Sequence, residues 1–279
     1  MPDFYPIDVN PQTRFILSTS GSLNSIDRHN GALQALNINL AYFSMSWPID
    51  AKAYAGALGA PLVRGGAVTG QGLKSDIIPH LDEVEDLART TGAVNTVVNE
   101  NGKLHGYNTD AYGFETALKA GIESSHIQPQ TAVIYGNGGV SGVAAYVLRN
   151  LGIRTTMAGR NPEKVATKMQ QLGLEQFDGP YDLVVNATPA SAEALESTKG
   201  LLDVLRGSKL IFDHSMPEKE GKTNYLHAHA DEQHIDFIAG LAMYNAQLVK
   251  QWSLFLDGYN DGQKTWKVSE AEIAQAWKL

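Results

Sequence analysis

The run Ala132-Val133-Ile134-Tyr135-Gly136-Asn137-Gly138-Gly139-Val140-Ser141-Gly142-Val143-Ala144-Ala145 constrains the fold of this 279-residue chain more than any other. An apolar, strand-like stretch enters a small-residue, helix-like stretch through clustered glycines. Gly136 permits the sharp bend, and Gly138 lets the backbone approach a phosphate. Asn137, Gly139 and Val140 complete the turn, and the free N–H groups at the helix start favour negative charge. Ser141 stands where the third glycine of a dinucleotide fingerprint would fall. Glycines alone would equally describe a tight surface turn; the strand before them and the helix after them point to dinucleotide binding.

The next strand selects the dinucleotide. An NAD site usually closes that strand with an acid that holds the ribose hydroxyls. Here the strand ends Met157-Ala158-Gly159-Arg160-Asn161. Arg160 can fork around a 2′-phosphate, with Lys164 one helical turn further on, so NADP is expected rather than NAD.

Strand-like segments at Thr131 to Tyr135, Arg154 to Met157, Asp182 to Asn186 and Lys209 to Phe212, with helices between them, predict a doubly wound lobe. Ile235 to Ile238 can add a strand, and Leu241 to Leu256 reads as a long amphipathic helix with Trp252 and Phe255 in the core. Ser269-Glu270-Ala271-Glu272 predicts a capped final helix. The first half alternates as well. Strands at Arg14 to Ser18, Leu40 to Met45 and Leu62 to Val68 alternate with helices at Ile26 to Leu36 and Ile49 to Leu58, the pattern of a largely parallel sheet. Asn101-Gly102 between extended runs predicts a hairpin. The expected class is α/β, with an N-terminal α/β lobe and a doubly wound Rossmann-type lobe.

Several function classes fall away on composition. The net charge of −8, from 30 acidic against 22 basic residues and without a basic cluster, argues against nucleic acid. With no cysteine there is no disulfide, thiolate nucleophile or zinc-thiolate site, which fits a cytoplasmic protein. Met1 to Asn10 lacks the basic and apolar regions of a signal peptide, and no apolar run approaches the roughly 20 residues of a membrane span. His227 and His229 lie two apart on a predicted helix and face different ways, so no metal site is expected.

The residues further resemble the shikimate dehydrogenase family from about Arg14 to Leu256. The matching pieces, in family order, are Arg28-His29-Asn30, Gly66-Ala67-Val68-Thr69 before Lys74, Gly92-Ala93-Val94-Asn95-Thr96 and Gly106-Tyr107-Asn108-Thr109-Asp110. The glycine turn, Arg160-Asn161, Val185-Asn186-Ala187-Thr188-Pro189 and Gly240-Leu241-Ala242-Met243-Tyr244-Asn245-Ala246-Gln247 follow. The resemblance implies a substrate lobe over 1–109, completed by helices in 241–279, and an NADP lobe over 110–240. It further implies catalysis by Lys74 and Asp110 on a small cyclic hydroxy acid, in a monomer or homodimer. As hydride leaves a secondary alcohol, its hydroxyl proton needs a positioned base; a lysine held neutral can take it, with the aspartate orienting lysine and substrate. By the same carry-over Thr69, Asn95 and Gln247 face the substrate, while Thr188, Gly240 and Met243 border the cofactor.

The sequence departs from the family around the substrate. The family's Ser-x-Ser-Pro run, whose hydroxyls hold the substrate carboxylate, aligns with Leu23-Asn24-Ser25-Ile26, leaving Ser25 and, if the loop realigns, Ser20 or Ser22. Two added glycines, Gly70 and Gly72, are expected to loosen the loop before Lys74. The late Asp-x-x-Tyr is Asp213-His214-Ser215-Met216, and Ala239 replaces an aspartate before Gly240. Shikimate, quinate or a related acid therefore all fit as substrate, and a non-catalytic sensor binding NADP and a ring metabolite is the rival from another class.

Overall fold

The computed structural model describes residues 7–19, 21, 23–45, 50–70, 72–189, 200–215, 224–262 and 264–279, so Ser20, Ser22, Ile49, Met216 and the Leu23 side chain lie outside the described residues. Along the chain run β1 (Arg14–Ser18), α1 (Leu23–Ala35), β2 (Leu40–Ser44), α2 (Ala51–Leu58), β3 (Val63–Ala67) and α3 (Leu73–Asp76). After a 3-10 turn at Ile78–His80 come β4 (Glu83–Val84), α4 (Asp86–Thr91), β5 (Thr96–Glu100), β6 (Lys103–Tyr107) and α5 (Thr109–Ser125). Next are β7 (Thr131–Tyr135), α6 (Gly139–Asn150), β8 (Arg154–Ala158), α7 (Pro162–Leu172), β9 (Leu183–Asn186) and α8 (Leu201–Leu205). The remainder is β10 (Leu210–Asp213), α9 (Tyr225–Gln233), β11 (Asp236–Ala239), α10 (Gly240–Leu256) and α11 (Glu270–Trp277). The chain divides into two units, one of Met1–Thr109 with Leu248–Leu279 and one of Asp110–Gln247.

The first unit contains a six-stranded sheet of order β2-β1-β3-β5-β6-β4. β1 runs parallel to β2 and β3, as the alternating first half requires, and the direction reverses at β5, which is antiparallel to both β3 and β6. The hairpin between β5 and β6 is the one expected: Asn101 and Gly102 take φ of 57° and 93°, the two positive values of a type I′ turn. Gly66 is required by close approach, because a Cβ there would overlap the hydroxyl of Tyr54. That phenol is fully buried and points its proton at the Leu17 carbonyl, 2.7 Å away. Helix α1 begins three residues earlier than its periodicity predicts. Nothing between Gly21 and Ile26 breaks a helix, so it propagates back to Leu23 and takes Ser25 into its first turn.

Residues 248–279 complete this unit. Arg64 on β3, 6% exposed, donates from Nε to the Phe255 carbonyl (2.8 Å), from Nη2 to that of Asp257 (2.8 Å) and from Nη1 to that of Asn99 (3.2 Å). A buried cation thus satisfies carbonyls at the end of α10 that no further helical turn could reach. His29 on α1 accepts at Nδ1 from the indole N–H groups of Trp252 (3.2 Å) and Trp277 (2.8 Å). Burial lowers its pKa to about 3, so the ring is neutral with its proton on Nε2. The predicted cap of α11 is a complete capping box, Ser269 with Glu272.

The second unit is a five-stranded sheet of order β11-β10-β9-β7-β8 in which every pairing is parallel. The order reverses between β7 and β9, and ligands of such sheets lie outside the carboxyl ends of the strands at that point. Val133, Val184 and Ile211 in the strand centres are fully buried, which is why those strands read as continuous apolar runs. At the amino ends, Asp182 accepts from the backbone N–H groups of Gln130 (2.9 Å) and Thr131 (3.2 Å) and from Lys209 Nζ (2.7 Å).

Those partners, the Lys209 ammonium first, hold the Asp182 carboxyl at about 2, against an ordinary value of 3.8. A depressed folded-state pKa gives stability that is present above the ordinary carboxylate range and lost as pH falls through the folded value. Urea unfolding should therefore show stability declining from about pH 4 towards pH 2. In Asp182→Asn the decline should be shallower, with a loss at neutral pH of roughly 1–3 kcal/mol.

Candidate functional site

In the first unit, β5 gathers the substrate-side candidates. Asn95, just ahead of β5, takes its N–H to the Tyr107 carbonyl (3.0 Å) and accepts at its own carbonyl from Val68 (2.8 Å). Its neighbour Val94 donates to the Lys74 carbonyl (2.8 Å), so the backbone that carries Lys74 is tied to the Ala93-Val94-Asn95 segment. Lys74 is half-buried in α3. Gly70 and Gly72 do more than loosen the preceding loop: they take φ of 121° and 86°, values that favour glycine, and the Gly72 carbonyl receives the N–H of Asp76 (2.9 Å) to start the helix. Thr69 and Thr19 clasp each other, the Thr19 hydroxyl donating to the Thr69 carbonyl (2.8 Å) and accepting from its N–H (2.7 Å).

The Asn95 carboxamide, 4% exposed, is turned towards Thr109. Its Oδ1 accepts from the Thr109 N–H (2.9 Å) and its Nδ2 donates to the Thr109 hydroxyl (2.9 Å), which fixes the start of α5 one residue ahead of Asp110. Glu85 supports the same turn by accepting from the Asn108 N–H (2.5 Å), and burial pushes its carboxyl up. Gln251, which the sequence reading passed over, is buried and donates to the Thr96 hydroxyl (2.8 Å). Its one signal was an amide four residues beyond Gln247 on an otherwise core-facing helix.

In the second unit the glycine turn is open on its ligand side. Gly136 has φ 115°, and a Cβ there would meet Thr188 Cγ2 at 2.5 Å; at Gly138 and Gly139 a Cβ would meet nothing within 4 Å. Helix α6 has no side-chain cap, so its first N–H groups remain for a ligand. Ser141 fits the third glycine position, fully buried with its hydroxyl on the Gly138 carbonyl (2.6 Å). Asn137 is exposed and Val140 half-buried. Beyond β8, Arg160 and Lys164 are exposed, and the Asn161 side chain caps α7 through the Lys164 N–H (3.1 Å). Open glycines, an uncapped helix and two cations on the adenosine side form a donor set that fits a pyrophosphate and a 2′-phosphate.

The other candidates of this unit lie at the carboxyl ends of β9 to β11. Thr188 is held by Asn186, whose Oδ1 accepts from the Thr188 hydroxyl (2.7 Å). Gly240 admits no side chain, because a Cβ would overlap the carbonyls of His214 and Ser215. Helices α5 and α10 meet at Gly113, where a Cβ would run into Gln247 Cβ at 2.7 Å and the Met243 carbonyl at 2.5 Å. Asp110, one turn before Gly113 on the same face of α5, is thereby brought towards Gln247 and Met243. Among the described residues, no group of three or more His, Asp or Glu could hold a metal ion, and no helix is long and apolar enough to cross a membrane.

Comparison with known proteins adds independent observations. Residues 20–97 match the shikimate dehydrogenase substrate binding domain. The NADP(+) shikimate dehydrogenase of Carboxydothermus hydrogenoformans is 31% identical over 229 residues, 77% of this chain and 80% of that one. The crystal structure of shikimate dehydrogenase from Aquifex aeolicus superposes with a TM-score of 0.75 at 26% identity, over 96% of this chain and 99% of that chain. A shikimate 5-dehydrogenase from Thermus thermophilus, solved with NADP(H) and shikimate, gives 0.73 at 25% identity over 95% and 98%.

The two kinds of glycine in the turn separate folding from binding. Gly136→Ala should lower stability by roughly 1–3 kcal/mol, from positive φ and overlap with Thr188. Gly138→Ala, at an ordinary φ of −74° with open space around it, should leave the melting temperature unchanged. It should nevertheless raise the Kd for NADP about tenfold or more, the loss of one charged hydrogen bond. Calorimetry and a fluorescence titration on both variants check this; undiminished NADP binding in Gly138→Ala would remove the glycine turn as the phosphate cradle.

Proposed function

The chain belongs to the shikimate dehydrogenase family, and from that membership we propose that it interconverts a cyclic polyhydroxy acid and its keto form with NADP, shikimate and 3-dehydroshikimate being the foremost pair. The observation that carries the cofactor half is the open glycine cradle before an uncapped helix, followed one strand later by Arg160 where an NAD site would place an acid. We assign substrate recognition to the first unit and NADP to the second, in a cytoplasmic monomer or homodimer.

For the chemistry, the nicotinamide accepts hydride from the alcohol carbon, and the chain must take the hydroxyl proton. Lys74 and Asp110 are the groups we assign to that proton and to the orientation of the hydroxyl. Thr69, Asn95, Gln247 and the serines at 20, 22 and 25 are assigned to the remaining hydroxyls and the carboxylate. We assign the departures at Leu23, Ala239 and the His214-Ser215-Met216 run to the reacting end of the site, around the substrate and the nicotinamide, rather than to the phosphates. They favour quinate or a related acid as the second reading, and binding without turnover as the third.

Absorbance of the reduced cofactor, followed with shikimate, quinate and related acids and with both dinucleotides, discriminates these readings. NADP reduction with one acid is expected; a flat trace with every acid, alongside measurable NADP binding, would leave the sensor. Lys74→Ala and Asp110→Asn should each lower turnover by roughly 100-fold or more without loss of NADP binding, the usual cost of removing a positioned acid or base. Near-normal turnover in Lys74→Ala would overturn its assignment. Arg160→Ala should weaken NADP by about 1.5–3 kcal/mol while leaving NAD untouched.

A further inference from the structure

Three strand ends on one side of the switch point are joined by the short segment that follows β10. Asp213, fully buried, accepts from Asn186 Nδ2 (2.9 Å), from Asn224 Nδ2 (3.0 Å) and from the Ser215 N–H (3.1 Å). The Ser215 hydroxyl donates to the Thr188 carbonyl at the end of β9 (3.0 Å). The carbonyls of residues 213 to 215 close over Gly240, the first residue of α10, leaving no room for a side chain. On this frame His214 Nδ1 lies 3.2 Å from the thioether of Met243, which is 4% exposed one turn into α10. A thioether has no proton to give, so Nδ1 must carry the hydrogen and donate it to Sδ.

The position of this pair identifies what it faces. A dinucleotide with its pyrophosphate at Gly136 to Gly139 and its 2′-phosphate at Arg160, beyond β8, must lay its other half over the carboxyl ends of β9 to β11. That half is the nicotinamide riboside. Methionine has three rotatable bonds and takes many shapes, so it makes a defined wall for a flat ring only when something selects its rotamer. We propose that His214 is a positioning residue for the cofactor: its N–H···S bond fixes Met243 as one wall of the nicotinamide pocket. The inference rests on the NADP reading above and assigns a role to a residue outside the cradle.

The test compares NADP with 2′-phospho-ADP-ribose, which keeps the adenosine, the pyrophosphate and the 2′-phosphate but lacks the nicotinamide. In His214→Phe, which keeps a ring but loses the N–H donor, the Kd for NADP should rise roughly three- to tenfold, the range that one lost hydrogen bond supports. The Kd for 2′-phospho-ADP-ribose should stay within error of wild type. Met243→Leu should behave alike, and the double variant should show no further loss, as for two residues acting through one contact. His214→Asn, whose Nδ2 can replace the lost donor, should recover most of the NADP affinity. Equal weakening of both ligands, no weakening of either, or additive losses in the double variant would overturn the role of His214. Failure of the wild-type protein to bind either ligand would overturn the NADP reading itself, and this inference with it.

Discussion

One buried residue, Asn95, ties together much of the first unit through its backbone and its carboxamide. Asn95 sits between three backbone segments that must come together: the end of β3 through Val68, the end of β6 through Tyr107, and the start of α5 through Thr109. Its backbone carbonyl and N–H serve Val68 and Tyr107 and its carboxamide serves Thr109, and at 4% exposure each of these groups left unsatisfied would cost about 1–3 kcal/mol. The backbone of Lys74 is attached to the same segment one residue away, through the N–H of Val94. A residue that carries this much backbone is hard to replace without moving its neighbours, and its last hydrogen-bond partner, Thr109, immediately precedes Asp110.

In the second unit close approach between segments falls on glycines. Gly240 and Gly113 each mark a place where one backbone meets another too closely for a methyl group, and at Gly136 the Thr188 side chain occupies that space. Gly138 and Gly139 have room to spare inside the protein. Glycine has two uses in one short turn: at 136 it meets the demands of the fold, and at 138 and 139 it leaves space for a guest.

This contrast explains what could be read from the sequence. The apolar strands of the second unit, the Asn101-Gly102 hairpin and the Ser269 cap were legible because each depends on residues within a few positions of one another. The glycine turn was legible for the same reason. Arg64 was not, since its partners at Asn99, Phe255 and Asp257 come from distant parts of the chain and an arginine on a strand gives no local hint of them. Gln251 and His29 escaped similarly: an amide on a helix and a histidine beside an asparagine have no periodicity that announces Thr96 or two indoles as partners. The start of α1 was misplaced because Asn24 and Ser25, next to the serine-rich run before Leu23, read as loop residues although Leu23 stands at helical spacing from Ile26.

The polypeptide of the first unit is discontinuous, and that has a consequence for the order of assembly. Residues 110–247 form one uninterrupted stretch whose sheet pairs only within itself, so it can fold as soon as it has been synthesised. The other unit has its sheet from residues 14–107, but the indoles that His29 serves and the carbonyls that Arg64 caps belong to residues 252–277. A nascent chain therefore carries a half-finished amino-terminal sheet, its buried cation and imidazole still unmatched, through the making of a whole intervening domain. Closing contacts over such sequence separations is slow. The part of the protein that begins first should reach its native state last, and during that interval it is the part that most needs protection from aggregation.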